Sequence, residues 1–329
     1  MKVLVTGGAG YIGSHGVREF RDAGHEVVVL DDLSAGHRAA VPPGVKLVLG
    51  DLGDPAALAE ALAGVSTVVH FAGVLNVGES VAEPLKYWRI NVQKGVVLLE
   101  AMAQARVTRI IFSSTCATYG VPERSPIDES HPQEPINPYG QSKRAFERAL
   151  RDLAAAGALR VVALRYFNAA GCHPDGSLGE DHRPEIHLIP LAIDAALQRR
   201  PALTIFGDDY DTPDGTCIRD YIHVRDLARA HVLALRALDD GEPYRFYNLG
   251  TETGYSVRDV IATVERLAGA TVPHSIGPRR PGDPPRLVAS AEKAGRELGF
   301  RPEHQGLDDI VESALRWRRD HPEGYGAEA

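Results

Sequence analysis

The chain has 329 residues, enough to bury a large core and more than one compact domain usually needs. With 36 Lys and Arg against 44 Asp and Glu its formal net charge is -8, which excludes a sequence-independent grip on nucleic acid or on an anionic membrane surface. Three scattered cysteines, Cys116, Cys172 and Cys217, are too few for a disulfide framework or a metal cluster, and no metal site is expected. No membrane-length apolar run is present, and Thr6-Gly7-Gly8 interrupts the N-terminal apolar stretch before a signal-like core forms, so a cytoplasmic protein with reduced thiols is expected.

Short Val/Ile/Leu-rich runs at Lys2 to Val5, Glu26 to Leu30, Lys46 to Leu49, Thr67 to Phe71, Arg109 to Ser113 and Arg160 to Leu164 read as parallel strands covered on both faces. Between them, Gly13 to Ala23, Pro55 to Ala63, Asn91 to Ala105 and Pro138 to Ala156 read as helices. The alternation predicts an α/β fold, a Rossmann-type doubly wound parallel sheet whose ligands bind outside the carboxyl ends of the strands. After about residue 170, Gly and Pro clusters at Gly171 to Pro184, Gly207 to Gly215 and Pro273 to Pro285 loosen the pattern, with helices near Leu188 to Gln198, Val224 to Leu238, Val257 to Ala268 and Leu307 to Arg318. The expected division is a dinucleotide-binding domain over 1–170, rejoined by a segment near 218–250, and a smaller C-terminal α/β substrate domain over 171–329.

Thr6-Gly7-Gly8-Ala9-Gly10-Tyr11-Ile12-Gly13 follows the first strand and opens the first helix. Glycines 7, 10 and 13 permit a tight turn, close approach of backbone N–H groups to a pyrophosphate, and tight helix-strand packing. A plain tight turn is the competing reading. Asp31 and Asp32 end the second strand 18 and 19 residues beyond Gly13, where a carboxylate binds ribose hydroxyls and repels a 2′-phosphate, which favours NAD over NADP. Asp51 either reaches the adenine or caps a turn. Phe71, Ala72 and Gly73 follow the fourth strand and line the cofactor in this reading. Asn91 either joins them or caps a helix.

Ser113, Ser114 and Thr115 end the fifth strand, on the edge where a nicotinamide lies. Asn137 and Pro138 then start a helix, and Tyr139 and Lys143, four apart, share one of its faces. A hydroxyl, a phenol and an ammonium converging there make a hydride-transfer site in which the phenol carries the alcohol proton. A phenol with a pKa of about 10 is a poor base at neutral pH, so a positive field from Lys143 and the nicotinamide is expected to favour phenolate.

The runs T-G-G-A-G-Y-I-G, H-F-A-G, S-S-T-C-A-T-Y-G, N-P-Y-G-Q-S-K, R-Y-F-N-A-A-G, H-L-I-P, G-T-C-I-R-D-Y-I-H-V and R-R-P-G-D, in order over nearly the whole chain, resemble the extended short-chain dehydrogenase/reductase family and its nucleotide-sugar epimerase branch. The resemblance implies a permanently bound NAD, a UDP-sugar substrate, and interconversion of UDP-glucose and UDP-galactose by inversion at C4 through a 4-keto sugar in a homodimer. It places NAD on Gly7, Gly10, Tyr11, Ile12, Gly13, Asp31, Asp32, Leu33, Asp51, Leu52, Phe71, Ala72, Gly73, Asn91, Ser113, Tyr139, Lys143 and Tyr166. Thr115, Tyr139 and Lys143 become catalytic, with Tyr139 taking the 4-hydroxyl proton. Asn168, His187, Leu188, Thr204, Ile205, Phe206, Arg219, Tyr221, Arg280, Asp283 and Leu287 become contacts to the UDP-sugar, the arginines gripping diphosphate with the planar fork that suits phosphate oxygens.

Two positions depart from relatives. Leu75 stands where many carry a lysine near the nicotinamide ribose, and Leu287 where some carry a tyrosine that closes the hexose pocket, so 2-acetamido sugars could enter. A 4,6-dehydratase would need an Asp-Glu pair after Thr115, where Cys116 and Ala117 stand. A UDP-glucuronate decarboxylase and a catalytically silent NAD-binding scaffold are the other rival readings.

Overall fold

The computed structural model describes residues 1–280 and 283–326; Pro281 and Gly282, inside the R-R-P-G-D run, lie outside the described residues. In chain order the first half comprises β1 (Lys2–Thr6), α1 (Tyr11–Asp22), β2 (Glu26–Asp31), β3 (Lys46–Leu49), α2 (Pro55–Ala61), β4 (Thr67–His70), α3 (Val77–Ala82) and α4 (Pro84–Tyr87). A π-helical turn (Trp88–Gln93) leads into α5 (Lys94–Gln104), followed by β5 (Arg109–Thr115), α6 (Pro138–Ala155) and β6 (Arg160–Tyr166). The second half adds β7 (Asn168–Ala170), α7 (Leu188–Ala196), β8 (Leu203–Phe206), β9 (Ile218–His223), α8 (Val224–Ala237) and β10 (Tyr244–Leu249). It ends with β11 (Gly254–Ser256), α9 (Val257–Ala268), β12 (His274–Gly277), β13 (Arg286–Leu287), α10 (Glu292–Glu297) and α11 (Leu307–Asp320).

Seven parallel strands run in the spatial order β10-β6-β5-β4-β1-β2-β3. Apart from those of the edge strand β3, their β-branched and leucine side chains are buried on both faces because helices cover both. On one side α2, α5 and α6 close over Leu4, Leu30, Val68, Ile110, Phe112 and Val161. On the other, α1 and α8 close over Val3, Val5, Val29, Val69, Ile111 and Val162. Thus α8 and β10, both late in the chain, complete the layers begun by its first half. Strand order reverses between β1 and β4, so the loops after these two strands face one crevice, the position where such sheets bind nucleotides.

Strand β9 centres a smaller sheet, parallel to β7 and β13 and antiparallel to β11, while β8 pairs with β12. Helices α7, α9 and α11 pack beside these strands around Ile193, Ile205, Val260, Val264, Val311 and Trp317.

Helix starts follow local chemistry. Asn137 Oδ1 accepts from the Gly140 backbone N–H at 2.9 Å, with Pro138 at the first helical position, and Ser256 and Asp259 form a reciprocal capping box at α9. Two boundaries differ from the sequence reading in ways that affect the site. Strand β5 runs on through Thr115, and the helix expected from Asn91 begins as a π-helical turn at Trp88.

Candidate active site

The glycine loop is shaped by close backbone approach. Gly7 takes a left-handed φ of 71°, and a Cβ there would lie 2.6 Å from the Ala72 nitrogen; a Cβ on Gly13 would lie 2.0 Å from the Gly7 carbonyl oxygen. Only glycine permits the loops after β1 and β4 to touch at the switch point while α1 starts against them. The Gly10 and Ser14 N–H groups donate to Gly7 O (3.2 Å) and Gly10 O (2.9 Å).

Asp31 is buried and its Oδ2 accepts from the Ala9 N–H at 2.9 Å, so this carboxylate braces the glycine loop; its Oδ1 accepts from Leu33 N, and Leu33 adopts a φ of 58°. Exposed Asp32 accepts from both the N–H and the hydroxyl of Ser34. The Tyr11 hydroxyl donates to Gly171 O at 2.5 Å, pinning the start of α1 to the chain beyond β7, and Ile12 packs on the sheet.

Asp51 closes a turn by accepting from Gly53 N at 2.6 Å and forms an ion pair with Lys94; burial opposes its charge, but the Lys94 pair wins and holds the carboxyl below its usual range. Leu52 is buried in the core beneath it. Phe71 lies 4.6 Å from the His231 ring. Asn91 caps no helix. It is buried, and its amide accepts from Val74 N (2.9 Å) and donates to Val74 O (3.0 Å) and Ser142 Oγ (3.0 Å), tying the loop after β4 to α6. Gly73 sits against it, with room for a Cβ only 2.8 Å from Asn91 Oδ1 and 3.7 Å from Lys143 Nζ. Leu75, further along this loop, is exposed.

The hydroxyl, phenol and ammonium come together at the carboxyl end of β5. A Cβ on Gly140 would lie 2.4 Å from the Ala117 carbonyl oxygen, so this glycine lets the first turn of α6 press against the loop that follows Thr115. This brings the Tyr139 phenol beside the Thr115 side chain, which favours its ionised form, with Tyr87 meeting Tyr139 edge to face at 6.3 Å. Lys143 is buried; its Nζ donates to Ser113 O at 3.0 Å and lies 4.9 Å from the Phe112 ring centre. Tyr166 stands opposite Thr115 in the β5–β6 register, and burial pushes its phenol up to about 12.

The polypeptide sets the charge states of the couple mainly through burial. Burial, reinforced by Tyr166, pushes the Tyr139 phenol well above 10, and the neighbouring Thr115 side chain offsets only part of this. The polypeptide alone therefore holds Tyr139 as a neutral phenol. Burial also pushes Lys143 down to about 8, with the Glu147 charge working in the other direction.

Beneath the couple lies a polar network that the sequence reading missed. Arg165 donates to Glu147 through Nε (3.0 Å to Oε1) and Nη2 (2.6 Å to Oε2), both side chains being almost fully buried. Ser114 and Gln133 add donors to Glu147, while Arg165 also donates to the Tyr119 hydroxyl, which donates in turn to Asn248 at 2.6 Å. His231 is neutral, its pKa pushed down to about 4 by burial; Nδ1–H donates to Leu227 O at 2.9 Å, so Nε2 accepts from Ser113 Oγ at 3.0 Å. Glu147 carries a readable signal, being one helical turn beyond Lys143 on the same face.

On the substrate side, Asn168 pairs in register with buried Tyr221. Thr204 and Phe206 are exposed on β8 while Ile205 points into the core, so only the first two face outward. Arg219 forms an ion pair with Asp283, whereas Arg280 lies over the Phe206 ring at 4.0 Å. Leu287 stands beside Arg219 in the β9–β13 register and packs with Cys116 against Tyr119, Ile127 and Phe167. Leu188 begins α7, and the His187 ring before it turns to Glu180.

A nucleotide crevice at the strand-order reversal and a Tyr-x3-Lys couple beside the fifth strand define a nicotinamide-dinucleotide enzyme of the short-chain dehydrogenase/reductase type. The chain belongs to the NAD-dependent epimerase/dehydratase family, whose model matches residues 3–250. It is 52% identical over 327 residues to the UDP-glucose 4-epimerase of Azospirillum brasilense, covering 99% of this chain and 94% of the relative. To the Lacticaseibacillus casei UDP-glucose 4-epimerase it is 47% identical, covering 99% of both chains. The crystal structure of the Bifidobacterium longum UDP-glucose 4-epimerase in complex with NAD+ and UDP matches with a TM-score of 0.94 at 41% identity, covering 98% of this chain and 100% of that one. The residues present fit NAD, since the side-chain-free approach at Gly7 and Gly13 and the carboxylates closing β2 suit a pyrophosphate and an unphosphorylated ribose.

Proposed function

We propose that the chain interconverts UDP-glucose and UDP-galactose by inversion at C4, with Tyr139, Lys143 and Thr115 as its catalytic residues. The observation that carries this reading is the Tyr-x3-Lys couple set at the carboxyl end of β5, with buried Lys143 donating to Ser113 O at 3.0 Å and its Nζ 3.7 Å from a Cβ built on Gly73 of the switch-point loop. NAD, when bound, supplies the hydride acceptor and donor for C4 and a positive ring beside the phenol. Thr115 orients the sugar 4-hydroxyl toward Tyr139, which would first give up its phenol proton to solvent under the positive potential of Lys143 and the bound dinucleotide, then as phenolate take the 4-hydroxyl proton and later return it. Lys143, charged at neutral pH, anchors on Ser113 O and raises the local positive potential. Gly7, Gly10 and Gly13 receive the pyrophosphate, and Asp31 and Asp32 the adenosine ribose.

Residues 1–170 with the late strand β10 serve as the cofactor unit, and the segments around β7, β8 and β9 as the UDP-sugar unit. Arg219 and Arg280 meet the diphosphate, with Asp283 already holding Arg219 in place, and Phe206 offers its face to the uracil. Val77, Val81, Leu85, Trp88 and Val96 form an exposed apolar tract on α3, α4 and α5 that supports a homodimer. Three free cysteines suit a cytoplasmic setting, and no described helix is long and apolar enough to cross a membrane.

The 4,6-dehydratase reading has less support. Cys116 follows Thr115 with its thiol pushed up to about 12 by burial, and Ala117 offers no acid. The deciding experiment is proton NMR of UDP-galactose incubated with the NAD-loaded protein. Formation of UDP-glucose to equilibrium is expected, and an unchanged C4 configuration overturns the reading.

A further inference from the structure

Outside the hydride-transfer site, the segment leading into α7 gathers four titratable side chains. Glu180, His182, Glu185 and His187 each present one ligand atom, and all four atoms lie within 4.8 Å of one another. His187 Nδ1 is hydrogen-bonded to Glu180 Oε1 and lies 3.9 Å from Glu185 Oε1. His182 Nδ1 lies 3.2 Å from Glu180 Oε1 and 3.6 Å from Glu185 Oε1. This nitrogen is shut off from solvent yet aligned with neither oxygen for a hydrogen bond. It points between the two carboxylates.

The spacing is that of a coordination shell. An ion with bonds of about 2.0–2.1 Å to tetrahedral ligands holds those ligands roughly 3.3 Å apart, and two imidazoles with two carboxylates form a donor set suited to zinc. The outer shell is present as well. Arg318 donates to Glu185 Oε2 at 3.0 Å, and the Ile186 and His187 N–H groups donate to Glu185 Oε1 at 2.8 and 3.0 Å, so this carboxylate is aimed before any ion arrives. Glu180 is nearly fully buried, where an uncompensated carboxylate is costly, and only protons on the imidazoles or a cation can balance it.

We propose that Glu180, His182, Glu185 and His187 bind one divalent transition-metal ion of the zinc class, both histidines ligating through Nδ1. Metal–nitrogen bonds replace the Nδ1–H bonds of the protonated imidazoles, up to two protons pass to the buffer, and no oxidation state changes. The ion ties the 180–187 segment to the start of α7. Its reach extends to the cofactor side, because the Tyr11 ring meets His182 edge-on at 6.0 Å and Tyr11 opens α1 directly after the glycine loop. The cysteine count had no bearing on this site, whose donors are all Glu and His.

The test uses the full-length, tag-free protein, stripped with chelator and titrated with Zn2+ by calorimetry in two buffers of different ionisation enthalpy, then with Co2+ by visible absorption. One ion per chain, buffer-dependent proton release and the intense ligand-field band of tetrahedral Co2+ are expected. Glu180→Gln and His182→Asn should each weaken affinity at least about tenfold. Absence of saturable one-to-one binding in the unmodified protein overturns the proposal, as does equal binding by both variants; the cluster is then a proton-bridged ion-pair lock. Should a variant fail to fold, the stoichiometry and Co2+ spectrum of the unmodified protein decide. No sugar is present in these measurements, so their failure is distinct from failure of the epimerase reading.

Discussion

Glu147 and Arg165 are joined by two hydrogen bonds of 3.0 and 2.6 Å within the layer between α6 and the sheet, one helical turn past Lys143. Replacing Glu147 by Gln leaves the Arg165 guanidinium buried without its counter-charge, a loss of about 3–5 kcal/mol in unfolding free energy. It also removes the charge that holds Lys143 up against burial, so the basic limb of the pH-activity profile should move to lower pH. Denaturant unfolding and steady-state assays across pH check both effects; a cost below about 1 kcal/mol would show that the pair is not a coupled buried unit.

Tyr139→Phe removes the proton carrier and leaves the ring and its contact with Tyr87. Turnover should fall about 10²–10⁴-fold while UDP affinity, read by calorimetry, stays within a few-fold. A variant with near-normal turnover sinks the assignment of Tyr139.

Lys143 makes a stability contribution whose sign follows from its lowered pKa. Below about pH 8 the folded protein carries a buried ammonium that the unfolded chain solvates freely, a penalty that Lys143→Met does not have. Between about pH 8 and the unfolded value near 10.5 the unfolded chain binds more protons, so the wild type gains stability with rising pH. By pH 10 the wild type should have gained on the order of 2 kcal/mol relative to the variant. Urea midpoints of both proteins from pH 7 to 10 measure this difference; parallel curves would falsify the burial argument.

Leu287 adjoins Arg219 and packs among Cys116, Tyr119 and Phe167, and Cys116 directly follows Thr115 in the chain. With leucine at this position the wild type should invert UDP-N-acetylgalactosamine as well as UDP-galactose. Leu287→Tyr should lower kcat/KM for the acetamido sugar at least about tenfold relative to UDP-galactose. Equal losses on the two sugars place the selectivity elsewhere.

The doubly wound sheet was legible because parallel strands covered on both faces leave continuous apolar runs, as Val3-Leu4-Val5 and Val27 to Leu30 do. The placement of Thr115 at the end of β5 and of Tyr139 and Lys143 on α6 was legible because a strand end and a helical spacing of four are local facts. What escaped depended on burial or on long-range closure. The phenol's neutral state follows from desolvation at Tyr139, which no local pattern encodes. Asn91 reads as a helix cap by residue type, yet a π-helical turn carries it inward to Val74 and Ser142. The Glu180 cluster forms from a loop whose side-chain directions are set by the Arg318 and Tyr11 contacts brought from distant segments.

The placement of β10 beside β6 has a consequence for how the protein can be divided. A chain ending near residue 170 would lack both β10 and α8, and would leave the whole length of β6, Arg160–Tyr166, as an uncovered flat edge of Val, Ala and Leu. Such an edge recruits other strands, so the N-terminal fragment is a candidate for aggregation rather than a free-standing nucleotide binder. During synthesis, the first half of the chain must wait for some eighty further residues before its sheet can close.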